Sequence, residues 1–304
     1  RRVNTSAERN VFLTFPWRIY RDDPLWVPPL LADRKKAIDP KRGVWYQRGI
    51  AEFFIAWRGT QPVGTICAAE DLKGNNDTGK KDCVFGFFEC ENNLETAAAL
   101  FGTVTQWAKK RGLNCLLGPY NLDYEDAYGI LVDGRDRPPV ILCGHTPAYY
   151  LEMINDLGGF QPAHGDNLAF AIDIESESDS FVRLYRMEER ALQKPGYTVR
   201  QADFSCWEEE VDHVFALINP ALQHLPGHIP WQREALRELL APFVSLADPE
   251  LILFAEVDGK PIGFFPAIPN FNEILIHVNG LRYPWDTLKA LYYSKTIKPR
   301  CAAI

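Results

Sequence analysis

The sequence predicts an α/β (α+β) protein, in which mixed β-sheets are flanked by helices and one plan is used twice. A chain of 304 residues that is 46% apolar and 24% charged can bury more than one core, and its length favours two domains. Residues 83–160 read as strand, helix, strand and helix. A strand, helix and strand of this length imply parallel neighbours in one sheet. Residues 197–265 then restart with a strand, two helices and a hairpin.

The N-terminal part of the chain predicts a short helix and a β-hairpin. Large apolar side chains lie on one face of a helix over residues 11–20. The prolines at 24, 28 and 29 exclude a helix after it, because each favours extended geometry in the residue before it. Residues 51–57 and 62–69, joined by a turn at Gly59, predict the hairpin. The polar residues 71–82 predict a loop.

The helix from Leu94 to Arg111 is the most clearly specified element. Its apolar residues recur with helical spacing, and Asn92 and Glu95 have the spacing of a capping box. Gly112 is a suitable residue to end it. A strand over residues 115–117 and a helix over residues 147–157 follow, and Gly159 opens another expected strand.

The second half repeats the hairpin pattern of the first. Residues 54–64 and 254–263 both read as an apolar strand, a turn with glycine, and a Pro-(Val/Ile)-Gly segment. We therefore expect the two hairpins to superpose at equivalent sheet positions. The acidic and serine-rich residues 175–180 mark the boundary, which gives domains at 1–178 and 179–304. Residues 299–304 resemble the start of a second central strand, so we expect the second domain to be incomplete in this chain.

Charge and cysteine content restrict the class of protein. A net charge of −7 argues against non-specific nucleic-acid binding, which requires a basic surface. The seven cysteines form no C-x-x-C pair, and we expect reduced, buried thiols in a cytoplasmic protein. No apolar run approaches the roughly 18 residues of a membrane span, and no grouping of His, Cys and Asp has metal-ligand spacing.

Several segments together resemble an uncharacterised bacterial family of GNAT-like proteins, which have the acyl-CoA N-acyltransferase fold. They are residues 20–30, 86–89, 118–121 and 129–134, and the pair Tyr149-Tyr150 followed by Gly159-Phe160. The resemblance implies tandem GNAT-like sheets and transfer of an acyl group from acyl-CoA to an amine acceptor that is not specified. It also implies a small-molecule amine or acyl ligand as the binding partner.

The segment that would bind the CoA pyrophosphate departs from the GNAT pattern. Such enzymes place (Arg/Gln)-x-x-Gly-x-(Gly/Ala) where the central strand enters the next helix, so that bare N–H groups hold the phosphates. Here residues 89–95 contain no glycine and three carboxylates, Glu89, Glu91 and Glu95. Their charge would repel a polyanion. We therefore expect weak or no acetyl-CoA binding by this chain.

The resemblance implies a tyrosine that protonates the leaving thiolate and a carboxylate that deprotonates the amine. Tyr149 and Tyr150 are candidates for the acid, and Glu125 is the candidate base. Residues after the strand 115–117 and before the helix at 147 would line the substrate pocket: Tyr120, Asn121, Asp126, Tyr128 and His145. Aromatic packing, a solvated loop and a neighbour of a helix N-terminus are the structural alternatives for these residues.

Three functions remain open on the sequence alone. The first is a GNAT-type acyltransferase with an unknown amine acceptor. The second is a non-catalytic GNAT-like module that binds a small ligand or a protein, which the acidic phosphate-loop position favours. The third is a Fem-type aminoacyl or lipid transferase, against which the acidic balance weighs because an aminoacyl-tRNA donor requires a basic groove.

Overall fold

A computed structural model describes residues 1–122, 128–174, 178–224, 230–244 and 248–304. It divides into two compact units, the first formed by Arg1–Gly165 with Phe271–Pro299 and the second by Asp166–Asn270 with Arg300–Ile304. The sequence-based bounds of 1–178 and 179–304 stay a prediction.

The elements confirm the α+β class, with several sheets flanked by helices. The helices are α1 (Ser6–Thr14), α2 (Pro16–Ile19), α3 (Leu31–Ala37), α4 (Leu72–Thr78), α5 (Leu94–Lys110), α6 (Tyr149–Leu157), α7 (Asp179–Leu192), α8 (Trp207–Leu222), α9 (Arg233–Val244), α10 (Asn272–Leu275) and α11 (Pro284–Thr296). The strands are β1 (Ile50–Arg58), β2 (Gln61–Glu70), β3 (Asp82–Cys90), β4 (Cys115–Leu117), β5 (Tyr197–Gln201), β6 (Ile252–Val257), β7 (Lys260–Pro266), β8 (Ile268–Pro269) and β9 (Ala302–Ala303).

The first unit is built on a mixed sheet in the order β1-β2-β3-β4. Strands β1, β2 and β3 pair antiparallel, and β4 pairs parallel to β3 through three residues only, Asp82 to Val84. One face packs on α5 and α6, and the other packs on α1 and α3. Two apolar cores therefore hold the sheet between them.

Helix α5 confirms the helix predicted at Leu94, with a different cap. Its stripe from Ala97 to Ala108 is buried against the sheet. The side chain of Asn93, rather than Asn92, accepts a hydrogen bond from the Thr96 N–H at 2.8 Å. The capping box expected from Asn92 and Glu95 is wrong by one residue, because β3 continues to Cys90 and displaces the helix start.

Beyond their short pairing, β3 and the chain after β4 cross at close range. A Cβ added to Gly86 would lie 1.5 Å from the carbonyl oxygen of Tyr120. Phe87 then has a φ of 45°, and the pairing of β2 with β3 shifts register between Thr65 and Cys67. Positive φ is uncommon for a bulky residue. This bulge leaves an open edge on the last part of β3.

The second unit contains the antiparallel sheet β5-β6-β7, packed on α8 and α9. Its hairpin has the same irregularity as the hairpin β1–β2. In the first hairpin the register shifts after the pair Ala56–Gly64, and in the second it shifts after Ala255–Gly263. Two-residue turns close both hairpins. The matching bulge supports the hairpin repeat, and equivalent sheet positions for the two hairpins stay a prediction.

Two local expectations from the sequence are wrong. Residues 72–78 form α4 instead of a loop, because Asp71 caps the first turn and Gly79 ends it in the left-handed region. Gly159 opens no strand in the described part of the chain. The C-terminal residues Ala302–Ala303 do form a strand, β9, which pairs antiparallel with β8 just after the end of β7. The expectation of an incomplete second domain stays a prediction.

The cysteines fall into two groups. Cys67, Cys83 and Cys90 are buried in β2 and β3, whereas Cys115, Cys143, Cys206 and Cys301 are exposed, and all seven are reduced thiols. Burial raises the pKa of the Cys67 thiol, and it raises the pKa values of Cys83 and Cys90 to about 12. Across the described residues, no helix has the length and apolar character needed to cross a membrane.

Candidate functional site

The centre of the candidate site is the carboxyl group of Glu89, near the end of β3. Its Oε2 accepts a hydrogen bond from the Tyr150 hydroxyl at 2.7 Å, and the Tyr20 hydroxyl lies 3.5 Å from its Oε1. The residue keeps partial exposure to solvent. Burial raises the pKa of Glu89 to about 7, against the opposing effects of the Tyr150 and Tyr20 hydrogen bonds.

Two tyrosines of α6 close the open edge of β3. The Tyr150 hydroxyl accepts the backbone N–H of Cys90 at 2.9 Å while it donates to Glu89. The Tyr149 hydroxyl donates to the Cys90 carbonyl oxygen at 2.7 Å. Burial, and then the Glu89 charge, raise the pKa of Tyr150 far above its ordinary value. Burial likewise raises the pKa of Tyr149. Both phenols therefore stay protonated at neutral pH.

The segment after α2 forms a second wall of the site. The Tyr20 ring stacks on Trp26 with a centroid distance of 4.8 Å, and its hydroxyl donates to the His145 carbonyl oxygen at 3.1 Å. The His145 Nε2 lies 2.7 Å from the Asp23 Oδ2, and the imidazole is only 5% exposed. The string at residues 20–30 therefore contributes Tyr20, Asp23 and Trp26 to one cluster with His145.

Tyr120, Asn121 and Tyr128 hold the crossing beside β3. The Asn121 Oδ1 accepts the Phe87 N–H at 2.8 Å, and the Tyr120 N–H donates to the Phe85 carbonyl oxygen at 2.8 Å. The Tyr120 and Tyr128 rings stack at 5.6 Å. Asn121 fixes the β3 bulge, which shapes the edge next to Glu89.

Two of the predicted site residues cannot be placed. Glu125 and Asp126 lie outside the residues that the structure describes, so the predicted base and the acidic pocket wall stay predictions. The structure brings together Tyr149, Tyr150 and His145 around Glu89, and it places Tyr120, Asn121 and Tyr128 at the adjoining crossing.

Sequence reasoning missed Glu89, Tyr20 and Asp23 as site residues. It assigned Glu89 to the phosphate loop, but β3 runs on to Cys90 and turns this carboxyl toward Tyr150. A signal was available in the Tyr20–Leu30 string, whose polar and aromatic residues are too specific for a simple linker. Only the fold shows that this string reaches His145, 122 residues away.

The junction of β3 and α5 is occupied by its own side chains. Asn93 takes the Thr96 N–H, and Glu91 pairs with Arg58 and accepts a hydrogen bond from the Thr96 hydroxyl at 3.3 Å. Fewer unbonded backbone N–H groups therefore remain at this helix start to bind a pyrophosphate. The contacts support the expectation of weak CoA binding, which stays a prediction.

The Glu89 carboxyl group therefore titrates near neutral pH and lies at a partly open sheet edge. Protonated tyrosine hydroxyl groups orient it. Such a group can accept a proton from an incoming nucleophile and release it again. The fold and this site define an α+β protein with a carboxyl–tyrosine centre beside the bulged strand of a mixed sheet.

Comparison with known proteins then identifies the family. The chain is 30% identical to the bacterial ceramide synthase of Caulobacter vibrioides (strain NA1000 / CB15N) over 303 residues, 99% of this chain and 78% of that protein. It is 27% identical to the protein YghO of Escherichia coli (strain K12) over 310 residues, 99% of this chain and 77% of that protein. The chain belongs to the family of the bacterial ceramide synthase. No family model matches it, and no solved structure matches it.

Proposed function

We propose that this protein transfers an acyl group from an acyl thioester, such as acyl-CoA, to the primary amine of a long-chain amino alcohol. A ceramide is the N-acyl derivative of such an amine, and the relative named for its synthesis is similar over nearly the whole chain. The observation that carries the proposal is the Glu89 carboxyl, whose pKa of about 7 suits it to accept a proton at neutral pH.

The reaction assigned to the site is amide formation. The amine nitrogen bonds to the thioester carbonyl carbon, the amine proton passes to Glu89, and the carbon–sulfur bond breaks. The departing sulfur takes up a proton from Tyr149, the candidate donor, because its raised pKa keeps it protonated. The proton gained by Glu89 then passes to the Tyr149 oxygen, which restores both groups. An amine and a thioester thus give an amide and a thiol.

The phenol of Tyr150 positions the base. Its hydroxyl donates to one Glu89 oxygen at 2.7 Å, whereas the Tyr20 hydroxyl, which donates to the His145 carbonyl oxygen, lies 3.5 Å from the other Glu89 oxygen. Because Tyr150 is also held by the Cys90 N–H, the carboxyl has a fixed direction relative to β3. An oriented base requires little reorganisation when the amine arrives.

The test is an acyl-transfer assay with a long-chain acyl-CoA and sphinganine, with the amide product measured by mass spectrometry. We expect Glu89→Gln to lower kcat by about 10²–10⁴-fold, the usual contribution of a positioned base. The matched control is Glu91→Gln, two residues further along, whose carboxyl pairs with Arg58 at the surface. Equal activity of Glu89→Gln and the parent protein would refute the assignment.

A non-catalytic binding module is the second candidate, and one observation favours it. The N–H and C=O groups of Cys90, which face the open edge of β3, are already bonded to Tyr150 and Tyr149. A thioester chain could pair with the strand there only if both tyrosines moved. Binding of the amine without turnover of any acyl-CoA would support this alternative over acyl transfer.

A further inference from the structure

Helix α11, in the first unit, presents an apolar face to solvent. Trp285, Leu288, Leu291 and Tyr292 are each between 56% and 69% exposed. At 3.6 residues per turn these four side chains lie within an arc of about 120°. The opposite side is turned inward, where Asp286 is fully buried. The exposed side chains therefore form one continuous apolar stripe, which we call the α11 face.

The segment that carries the α11 face is basic in a chain that is acidic as a whole. Residues 281–299 contain four basic side chains, Arg282, Lys289, Lys295 and Lys298, and one acidic side chain, whereas the whole chain has a net charge of −7. The single acid, Asp286, is buried and pairs with Lys289 at 3.6 Å. It also accepts hydrogen bonds from the Tyr283 N–H at 3.0 Å and the Asn279 amide at 3.2 Å. The solvent side thus combines exposed apolar and aromatic groups with exposed lysines.

We propose that the α11 face binds the surface of an anionic lipid bilayer. Tryptophan and tyrosine rings favour the headgroup level of a membrane, and lysine side chains extend from a buried stem to anionic headgroups. Apolar burial and attraction to negative lipids together determine the strength of such interfacial binding. The helix lies in the interface plane and does not span the bilayer.

Charge decides between a bilayer and a second copy of the chain. A twofold contact through this face would bring equivalent lysines of the two copies near one another. Like charges at an interface oppose association. Anionic headgroups instead complement Lys295 and Lys298, whereas Lys289 pairs with the buried Asp286, and this complementarity makes the bilayer the favoured occupant.

A chain of contacts inside the first unit joins the α11 face to the candidate site. Asn279, which binds Asp286, accepts a hydrogen bond from the Trp17 indole N–H at 2.6 Å. Trp17 packs edge-to-face on Trp26 at 5.3 Å, and Trp26 stacks on Tyr20. On the proposed function, a membrane-bound α11 would hold the site close to the bilayer in which a long-chain amine dissolves. That link rests on the proposed function, whereas membrane binding itself does not.

Vesicle co-sedimentation without any substrate tests the proposal. We expect the full chain to bind vesicles of phosphatidylglycerol and phosphatidylcholine, to bind pure phosphatidylcholine at least tenfold more weakly, and to be released by added salt. Trp285→Ser with Leu288→Ser should reduce binding at least tenfold, as should Lys295→Glu with Lys298→Glu.

Matched controls lie elsewhere on the first unit. Leu72→Ser changes another exposed leucine, and Lys80→Glu with Lys81→Glu reverses the same amount of charge. These variants should bind as the parent does. If the apolar variant fails to fold by circular dichroism, the charge-reversal pair carries the test alone.

Three results would overturn the proposal. They are absence of binding to anionic vesicles by the parent chain, equal losses in the α11 and control variants, and a parent dimer that the α11 substitutions convert to a monomer in sedimentation velocity. An inactive protein that still binds vesicles would refute only the acyl-transfer function. An active protein that does not bind them would refute only the membrane proposal.

Discussion

Glu89 links the candidate site to the stability of the protein. Its pKa in the folded state is about 7, above the ordinary carboxyl value of 4.5. The folded chain therefore holds a proton that the unfolded chain has lost between about pH 4.5 and pH 7. A raised pKa contributes stability that is present below the unfolded-state pKa and is lost as pH rises through the folded-state pKa.

We therefore expect the free energy of unfolding to fall by about 1–3 kcal/mol from pH 5 to pH 8 through this one group. Glu89→Gln should remove that part of the slope, because the amide does not titrate. Urea unfolding at several pH values measures it. Glu91→Gln serves as the control, and an unchanged slope in Glu89→Gln would contradict the buried-carboxyl interpretation.

Tyr150 should affect the titration of Glu89 directly. Its hydrogen bond to the carboxylate lowers the pKa of Glu89, so Tyr150→Phe should move the pH midpoint of activity upward. The variant also leaves the Cys90 N–H without its acceptor, at a cost of about 1–3 kcal/mol.

Tyr149→Phe gives the comparison for Tyr150→Phe, because its hydroxyl bonds to the Cys90 carbonyl oxygen and makes no hydrogen bond to Glu89 in the structure. That variant should lower kcat and leave the pH midpoint in place. A pH–rate profile of both variants measures the difference. Identical shifts in the two would count against the role assigned to Tyr150.

The sequence could identify Tyr149 and Tyr150 as candidate site residues, but it could not identify Glu89 as the carboxyl group beside them. A Tyr-Tyr pair on an amphipathic helix stands out in the chain, whereas Glu89 is one of several carboxylates near a strand end. Its function depends on β3 extending two residues further than the apolar run indicates, and on a segment 69 residues earlier supplying Tyr20. Long-range pairing of this kind has no local signal.

Among the elements, the crossing at Gly86 is the most restrictive contact. Gly86→Ala would place a methyl group 1.5 Å from the Tyr120 carbonyl oxygen, a backbone atom that cannot rotate away. We expect a loss of about 3 kcal/mol or more in unfolding free energy, together with loss of activity, because the β3 bulge would shift.

Gly102→Ala is the control for Gly86→Ala. Gly102 lies in α5 with open space around it, and alanine is the better helix former, so a gain of about 0.5–1 kcal/mol is expected. Thermal and urea unfolding of the two variants measure both effects. Tolerance of Gly86→Ala would mean that β3 and the segment after β4 do not cross this closely.

The spacing of apolar residues predicted the elements that carry strong apolar patterns. It did not predict helix α4, whose formation depends on its capping residues. The α5 stripe and the first hairpin could be predicted because their burial follows the apolar residues. The second hairpin could be predicted from its turn at Asp258-Gly259, although Ile262 and Phe265 on β7 are exposed. Helix α4 could not be predicted, since its interior is rich in Asn, Asp and Gly. The helix there depends on Asp71 accepting the Gly74 N–H at 2.8 Å and on Gly79 at its end.

For the whole molecule, separate cores in the two units predict separate responses to core substitutions. Leu100 is 2% exposed in the core of the first unit, and Leu236 is 1% exposed in that of the second. Each change to alanine should cost about 2–5 kcal/mol in its own unit.

Hydrogen exchange measures which strands lose amide protection in each variant. Leu100→Ala should accelerate exchange in β1, β2 and β3, and Leu236→Ala should accelerate it in β5, β6 and β7. Each variant serves as the control for the other. If either substitution accelerates exchange equally in both sheets, the two units unfold as one.

The three buried thiols of β2 and β3 can report how often these strands open. Cys67 in β2 belongs to one core of the first unit, and Cys83 and Cys90 in β3 belong to the other. Their raised pKa values suppress the reactive thiolate. Alkylation by iodoacetamide should label the four exposed thiols first. The slow labelling of the other three would then report how often the central strands separate under native conditions, without any introduced probe.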